Sequence, residues 1–337
     1  MLEEYLQNPW LASLAVVLGG AALIAGGEAL VRGASKIALG LKISPLIVGL
    51  TIVALCTSAP EMAVSLSAAL GSDPAGADVA LGNVVGSNIC NVLLILGICA
   101  LIKPLSTSTT LVKRDFPLVS LFSLATLAAV FVARQEDGSF RLPQLFGFLL
   151  LAAFVVYEIV AIRQARRDDT DAQNIDVAEE SQEKKNAKYW LVAFCQLVFG
   201  LVFLVAGAQG FVGGAVSIAR AIGVSELVIG LTLVAVGTSL PELTVSVIAT
   251  LRGQVDVAIG NVVGSNLCNL LLILGGTLSL LPQGIAVQNQ SAFVDLPVMT
   301  ASAILVAWFA FTGRKVERWE GACLLAGQIG YAVYLVA

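Results

Sequence analysis

One stretch of this chain occurs twice, and the pair of copies leaves few architectures open. Gly49–Glu61 reads GLTIVALCTSAPE and Gly230–Glu242 reads GLTLVAVGTSLPE, identical at 9 of 13 positions. Gly82–Leu96 (GNVVGSNICNVLLIL) and Gly260–Leu274 (GNVVGSNLCNLLLIL) agree at 13 of 15. Each copy sets a glutamate directly after a proline, inside sequence apolar enough for lipid. Ala29–Thr51 also aligns with Gly210–Thr232, and Asp115-Phe-Pro with Asp295-Leu-Pro. Two duplicated, apolar-flanked carboxylates are what the fold has to explain.

The setting is a bilayer. The chain is 58% hydrophobic and 12% charged, where a soluble domain carries about 25% charged residues. Apolar runs of about 20 residues recur along it, the signature of a polytopic membrane protein. Met1–Trp10 holds Glu3 and Glu4 and no base, unlike the start of a cleaved signal peptide. There is no histidine, which removes histidine proton relays and histidine metal ligands. The six cysteines lie in apolar segments and form no CxxC pattern.

Ten spans are predicted: 9–31, 43–70, 78–102, 116–134, 143–162, 189–211, 224–250, 256–281, 293–312 and 317–336. The polar stretch 163–188 divides them five and five and has the composition of a solvated linker. The domains are therefore 1–162, a first five-helix repeat, the linker 163–188, and 189–337, a second repeat. An odd number of spans per repeat inverts the second relative to the first. With both termini outside, sixteen Lys and Arg fall in inner loops and three, Arg134, Arg141 and Arg220, in outer ones. That bias satisfies the positive-inside rule and puts the linker in the cytoplasm. The expected fold is an all-α membrane protein: ten transmembrane helices as two inverted five-helix repeats. Such repeats are a transporter architecture with sites where the halves meet near the midplane.

Within the second span, Thr57 and Glu61 share a helix face and Ser58 sits beside them. Pro60 has no N–H for the carbonyl of Cys56, so the helix should break near 56–58 and free backbone oxygens. Thr238, Ser239, Pro241 and Glu242 repeat the device, so helices two and seven are both expected to be broken. Broken backbone at membrane depth survives only where it lines a cavity or packs on protein. The third span and its mate add Ser87 and Asn91, and Ser265 and Asn269, each pair one turn apart. Asn83, Asn88, Asn261 and Asn266 are further amides whose facing the spacing leaves open. Gly82, Gly86, Gly260 and Gly264 have the small-xxx-small spacing of close helix packing.

A carboxylate at the bilayer centre costs about 2.5–3.5 kcal/mol on insertion scales, and neither motif holds a Lys or Arg. Two facing carboxylates repel unless one is protonated or a cation sits between them. Their surroundings are hard oxygens, and two bidentate glutamates with two freed carbonyls give about six ligands, within calcium's range of 6–8. A doubly negative site suits one calcium or, in alternation, two or three sodium ions.

The paired GTSxPE and GNxxGSNxxN motifs, with five spans per half, resemble the calcium/cation antiporter superfamily and, within it, a prokaryotic sodium/calcium exchanger. The resemblance covers nearly the whole chain. It implies that Glu61 and Glu242 are the central metal ligands, with ligand roles for Thr57, Ser58, Ser87, Asn91, Thr238, Ser239, Ser265 and Asn269. It also implies exchange of three sodium ions for one calcium and access alternated by sliding of spans one and six. No nucleophile–base pair or cofactor motif is visible, so neither an enzyme activity nor a cofactor is expected. Two positions depart from the pattern. Cys56 stands where the family has the glycine seen at Gly237, and Asn269 where the potassium-dependent branch has an aspartate, which argues against potassium co-transport.

The expected function is sodium-driven calcium extrusion across the plasma (inner) membrane, the two cations competing for Glu61 and Glu242. The partners are then calcium, sodium and lipid, with no nucleic acid. A calcium/proton antiporter that protonates the same glutamates is the nearest alternative, and a passive cation channel is one of another class. Outside the site, Glu28 and Glu158 are expected to be structural or interfacial. Asp115, Asp295, Ser44 and Ser225 are expected to cap helices.

Overall fold

The computed structural model describes residues 8–71, 76–135, 138–172, 187–224, 229 and 235–336. The chain there is helical, apart from two short ribbons. In order the helices are α1 (Pro9–Leu41), α2 (Pro45–Thr57), α3 (Ala59–Leu70), α4 (Gly76–Ile102), α5 (Leu111–Val132), α6 (Gln144–Ala172), α7 (Ala187–Ala221), α8 (Ala235–Gly237), α9 (Leu240–Leu251), α10 (Val255–Ser279), α11 (Ser291–Gly313) and α12 (Arg318–Val336). Among the described residues, seven helices are long and apolar enough to cross a membrane, or eight when the bent pair α2/α3 counts as one. This is an all-helical, multi-pass membrane protein.

The helices divide into a centre and a shell. Of the most apolar 18 residues in each, 94% are buried in α10 and 72% in α4, against 33% in α1 and 28% in α7. The helices carrying the duplicated GNVVGSN segment thus form the core, packed on one another and on α2. α1 and α7 pack against each other along glycines seven residues apart. A Cβ at Gly26 would lie 2.8 Å from the Gly200 carbonyl oxygen, and one at Gly207 2.8 Å from the backbone nitrogen of Leu23. No side chain fits between these backbones, which explains why small residues recur at that register.

Two antiparallel ribbons stitch the halves together. β1 (Leu105–Ser106) pairs with β4 (Lys315–Val316), Leu105 opposite Val316. β2 (Phe140–Leu142) pairs with β3 (Ile285–Val287), Phe140 opposite Val287. Each ribbon takes one strand from either side of the 163–188 segment.

Several predicted boundaries move. α1 has 33 residues and α7 has 35, about 50 Å each at 1.5 Å per residue, well beyond the roughly 30 Å of hydrocarbon. Arg32, Lys36 and Arg220, predicted to lie in loops, are on these helices. Hydropathy ends a span where charge begins, while backbone hydrogen bonding continues into the polar zone. For the same reason α6 runs to Ala172, into the predicted linker; residues 173–186 lie outside the described set.

Capping divides likewise. Ser44 opens α2 as expected, its Oγ accepting from the Ile47 N–H at 3.3 Å. Asp115 and Asp295 do not cap: both have helical backbone within α5 and α11. α5 begins earlier, where Ser108 Oγ accepts from the Leu111 N–H at 3.2 Å. Widened i→i+5 turns at Leu111–Asp115 and Ser291–Asp295 precede Pro117 and Pro297, so the helix absorbs a missing proline N–H without ending. The buried Asp115 carboxylate accepts from Arg114 Nε at 2.8 Å, while Asp295 accepts from Tyr331 OH at 3.0 Å. Ser225 lies outside the described residues.

Candidate functional site

The site begins at the interruption between α2 and α3. With no N–H at Pro60, Ser58 leaves helical geometry (φ −80°, ψ 3°), and the two pieces meet at 45°. The second copy breaks at the same place: Ser239 has φ −87° and ψ 6°, between α8 and α9. Each break puts its glutamate in the first turn of the following helix, Glu61 in α3 and Glu242 in α9. That end of a helix carries partial positive charge from unpaired N–H groups, which favours a carboxylate there.

The two carboxylates are each 1% exposed and lie within electrostatic reach of one another. Among the described residues none of the ion pairs involves either. Among the described residues neither oxygen of Glu61 has a partner in good hydrogen-bond geometry, although the Ser239 hydroxyl lies beside it, nor does Oε2 of Glu242. Oε1 of Glu242 accepts from Ser58 Oγ at 3.2 Å, a contact from the first motif to the second. Buried charge without a partner is costly in any protein and more so in lipid.

Most of the other predicted side chains converge here. Ser239 Oγ donates to Ser87 Oγ at 3.3 Å. Thr57 Oγ1 donates to Asn261 Oδ1 at 3.0 Å and lies 3.5 Å from Ser265 Oγ; its contact with the Ala54 carbonyl in the preceding turn is longer, 3.3 Å. Asn91 and Asn269 are both 1% exposed. Each is the second residue of a widened turn, Cys90–Leu96 or Cys268–Leu274. Such turns leave backbone carbonyls out of register and recur at functional sites. Thr238 is the exception. It is half-buried and lines a cavity of about 270 Å³ with Pro60, Gln209, Val212, Gly237 and Pro241.

The structure also resolves what the spacing left open. Asn83 Nδ2 donates to the backbone oxygen of Glu61 at 3.1 Å and to Ser65 Oγ at 2.9 Å. Asn261 Nδ2 reaches Ser246 Oγ at 3.0 Å and the backbone oxygen of Glu242 at 3.4 Å. These amides fasten α4 to α3 and α10 to α9 at the level of each glutamate. Ser65 and Ser246 escaped the sequence reading, although each lies four residues after its glutamate, on the same helix face. Gly260 and Gly264 pack as expected, their added Cβ falling 2.7 Å from the Leu46 oxygen and 2.3 Å from the Leu50 oxygen. Gly82 and Gly86 meet no described residue within 4 Å.

Among the described residues no three His, Cys, Asp or Glu side chains gather as a metal cluster. The donors are two carboxylates among hydroxyls and amides, all hard oxygen, which suits alkali and alkaline-earth cations. The family profile described as sodium/calcium exchanger protein matches residues 11–163 and 192–337. The chain belongs to the sodium/calcium exchanger protein family. It is therefore a cation antiporter and not an enzyme.

Relatives of this antiporter match along almost its whole length. The putative antiporter CaxA of Alkalimonas amylolytica is 38% identical over 327 residues, covering 96% of this chain and 98% of that protein. The sodium/calcium exchanger MaX1 of Methanosarcina acetivorans is 34% identical over 328 residues, covering 89% and 91%. A solved structure of the sodium-calcium exchanger NCX_Mj, soaked with zero Na+ and Ca2+, superposes with a TM-score of 0.79 at 30% identity, covering 97% of this chain and all of that one.

Proposed function

We propose that this antiporter exchanges sodium for calcium, expelling calcium with energy from the inward sodium gradient. The observation that carries the reading is the pair Glu61 and Glu242: buried, mutually repelling, and with three of four carboxylate oxygens unpartnered. A cation between them supplies the missing charge and the missing coordination together. Thr57, Ser58, Ser87, Asn91 and Thr238, Ser239, Ser265, Asn269 are the accompanying ligands in this proposal. Thr57 stands nearer that role than Thr238, whose hydroxyl borders the cavity. The relatives named sodium/calcium exchangers support sodium as the coupling ion.

The proposed architecture is two inverted five-helix repeats, 1–162 and 189–337, each crossing five times, joined by a cytoplasmic segment 163–188. Both termini then lie outside the plasma membrane. The ordered correspondence of α2/α3 with α8/α9, and of α4 with α10, supports it. Coupling follows from charge. The empty site is doubly negative and resists passage through a closed, dehydrated intermediate, whereas calcium or sodium neutralises it. Only loaded carriers cross, so one cation moves in exchange for the other.

The test is calcium flux in proteoliposomes under separately imposed sodium, potassium and proton gradients. Uptake driven by sodium alone, and abolished by Glu61→Gln or Glu242→Gln in folded protein, is expected. Uptake driven by a pH gradient without sodium would replace the coupling ion, and near-normal transport by both variants would remove the site.

A further inference from the structure

The amides where α4 crosses α10 are not used alike in the two halves. Asn91 and Asn269 are matched positions, as are Asn88 and Asn266, and all four are at most 2% exposed. Asn91 Nδ2 donates to Asn266 Oδ1 at 3.0 Å. Asn266 Nδ2 points to the backbone oxygen of Asn88 at 3.5 Å. The repeat predicts a mirrored bond from Asn269 to Asn88, and it is not made. Among the described residues, both polar atoms of Asn88 and both of Asn269 are buried without a partner.

We infer that Asn266 is a positioning residue that fixes which end of the Asn91 amide faces the ion. An asparagine side chain offers an oxygen on one side and an N–H2 on the other, nearly equal in size. Only the oxygen attracts a cation. Asn266 spends its own N–H2 on the Asn88 carbonyl, so its oxygen is what meets Asn91. That oxygen accepts from the Asn91 N–H2, and the Asn91 oxygen is left as its one unpartnered atom. Turning the Asn91 amide over would set two oxygens against each other and strand a buried N–H2. Among the described residues Asn269 has no such keeper, so its amide can present either end. The site therefore has one fixed amide oxygen and one adjustable amide, although the sequence around both is nearly the same. This rests on the reading of Asn91 as an ion-facing residue.

The test is a double-mutant cycle in proteoliposomes between Asn266→Ala and Asn91→Ala, reading the sodium and calcium concentrations at half-maximal exchange, with Asn88→Ala as control. Asn266→Ala is expected to raise the half-saturating concentration about fivefold, the weight of one net hydrogen bond, with kcat little changed. In the Asn91→Ala background it should add less than twofold, because its effect passes through Asn91. Asn266→Ser, which keeps an acceptor oxygen without adding charge, should recover part of the affinity in a protein that Ala leaves poorly folded. Asn88→Ala should shift either value less than twofold. Independent, additive effects of the two alanines, or an equal loss in Asn88→Ala, would overturn the inference. Absence of sodium-driven uptake by the wild-type protein would instead defeat the exchanger reading on which it rests.

Discussion

Glu61→Gln separates the proposed role of this side chain from any role in folding. Among the described residues the carboxylate makes no ion pair, and the Ser239 hydroxyl beside it can serve an amide oxygen as well as a carboxylate, so the substitution breaks no salt bridge. It removes a buried charge worth about 2.5–3.5 kcal/mol on insertion scales. Against that, the amide's N–H2 must be buried, a cost of up to about 1–3 kcal/mol where it finds no acceptor and less where it meets the unpartnered Glu242 oxygen. The ion-free variant should therefore be as stable as wild type or more so, by about 1 kcal/mol. Calcium reverses the order. A ligand at a hundred times its Kd stabilises its binding state by about 2.7 kcal/mol, and that increment should vanish in the variant. The assay is thermal unfolding of purified protein in detergent, with chelator and then with calcium, at fixed ionic strength. A variant that keeps the wild-type calcium increment would refute the assignment, and one that unfolds far below wild type in chelator would show Glu61 to be a structural acid.

Three further outcomes follow from packing and pairing. Gly264→Ala places a methyl 2.3 Å from the Leu50 oxygen; overpacking of that kind costs about 1–3 kcal/mol, so its Tm and its transport should both fall, while Gly276→Ala, with open space, should lose neither. Arg252→Gln breaks the pair with Glu28, which is 2.5 Å long and about one-third exposed on both sides; exposed pairs contribute under about 1 kcal/mol, so Tm should shift little and the shift should disappear in high salt. Tyr331→Phe removes the hydroxyl that donates to Asp295 at 3.0 Å, and a loss of about 1 kcal/mol in thermal stability is expected.

What the chain discloses about itself depends on whether the deciding physics is local. The break at Ser58 is local: a proline without an N–H, read against a four-residue helical step, predicts it to within 56–58, and Ser44 before Pro45 predicts its cap in the same way. The two motifs likewise announce Glu61 and Glu242 because carboxylates in apolar sequence have no ordinary explanation. The capping expectation for Asp115 failed because α5 begins earlier, at the Ser108 cap, and carries helical backbone through Asp115 to Pro117, while the carboxylate turns to its neighbour Arg114 and to Tyr157 of α6. The widened turns under Asn91 and Asn269 leave no mark in composition. Nor does the difference between Thr57 and Thr238, since nearly identical sequence in the two repeats meets different neighbours. Asn83 and Asn261 were visible as amides, yet only the approach of α4 to α3 and of α10 to α9 shows what they hold.

The paired strands carry a consequence for how the molecule is put together. Because each ribbon borrows one strand from the first half and one from the second, the halves are held in register at two places besides the covalent join between α6 and α7. A chain cut there and produced as two fragments should still find its partner, with the ladders acting as clasps at separate places on the surface.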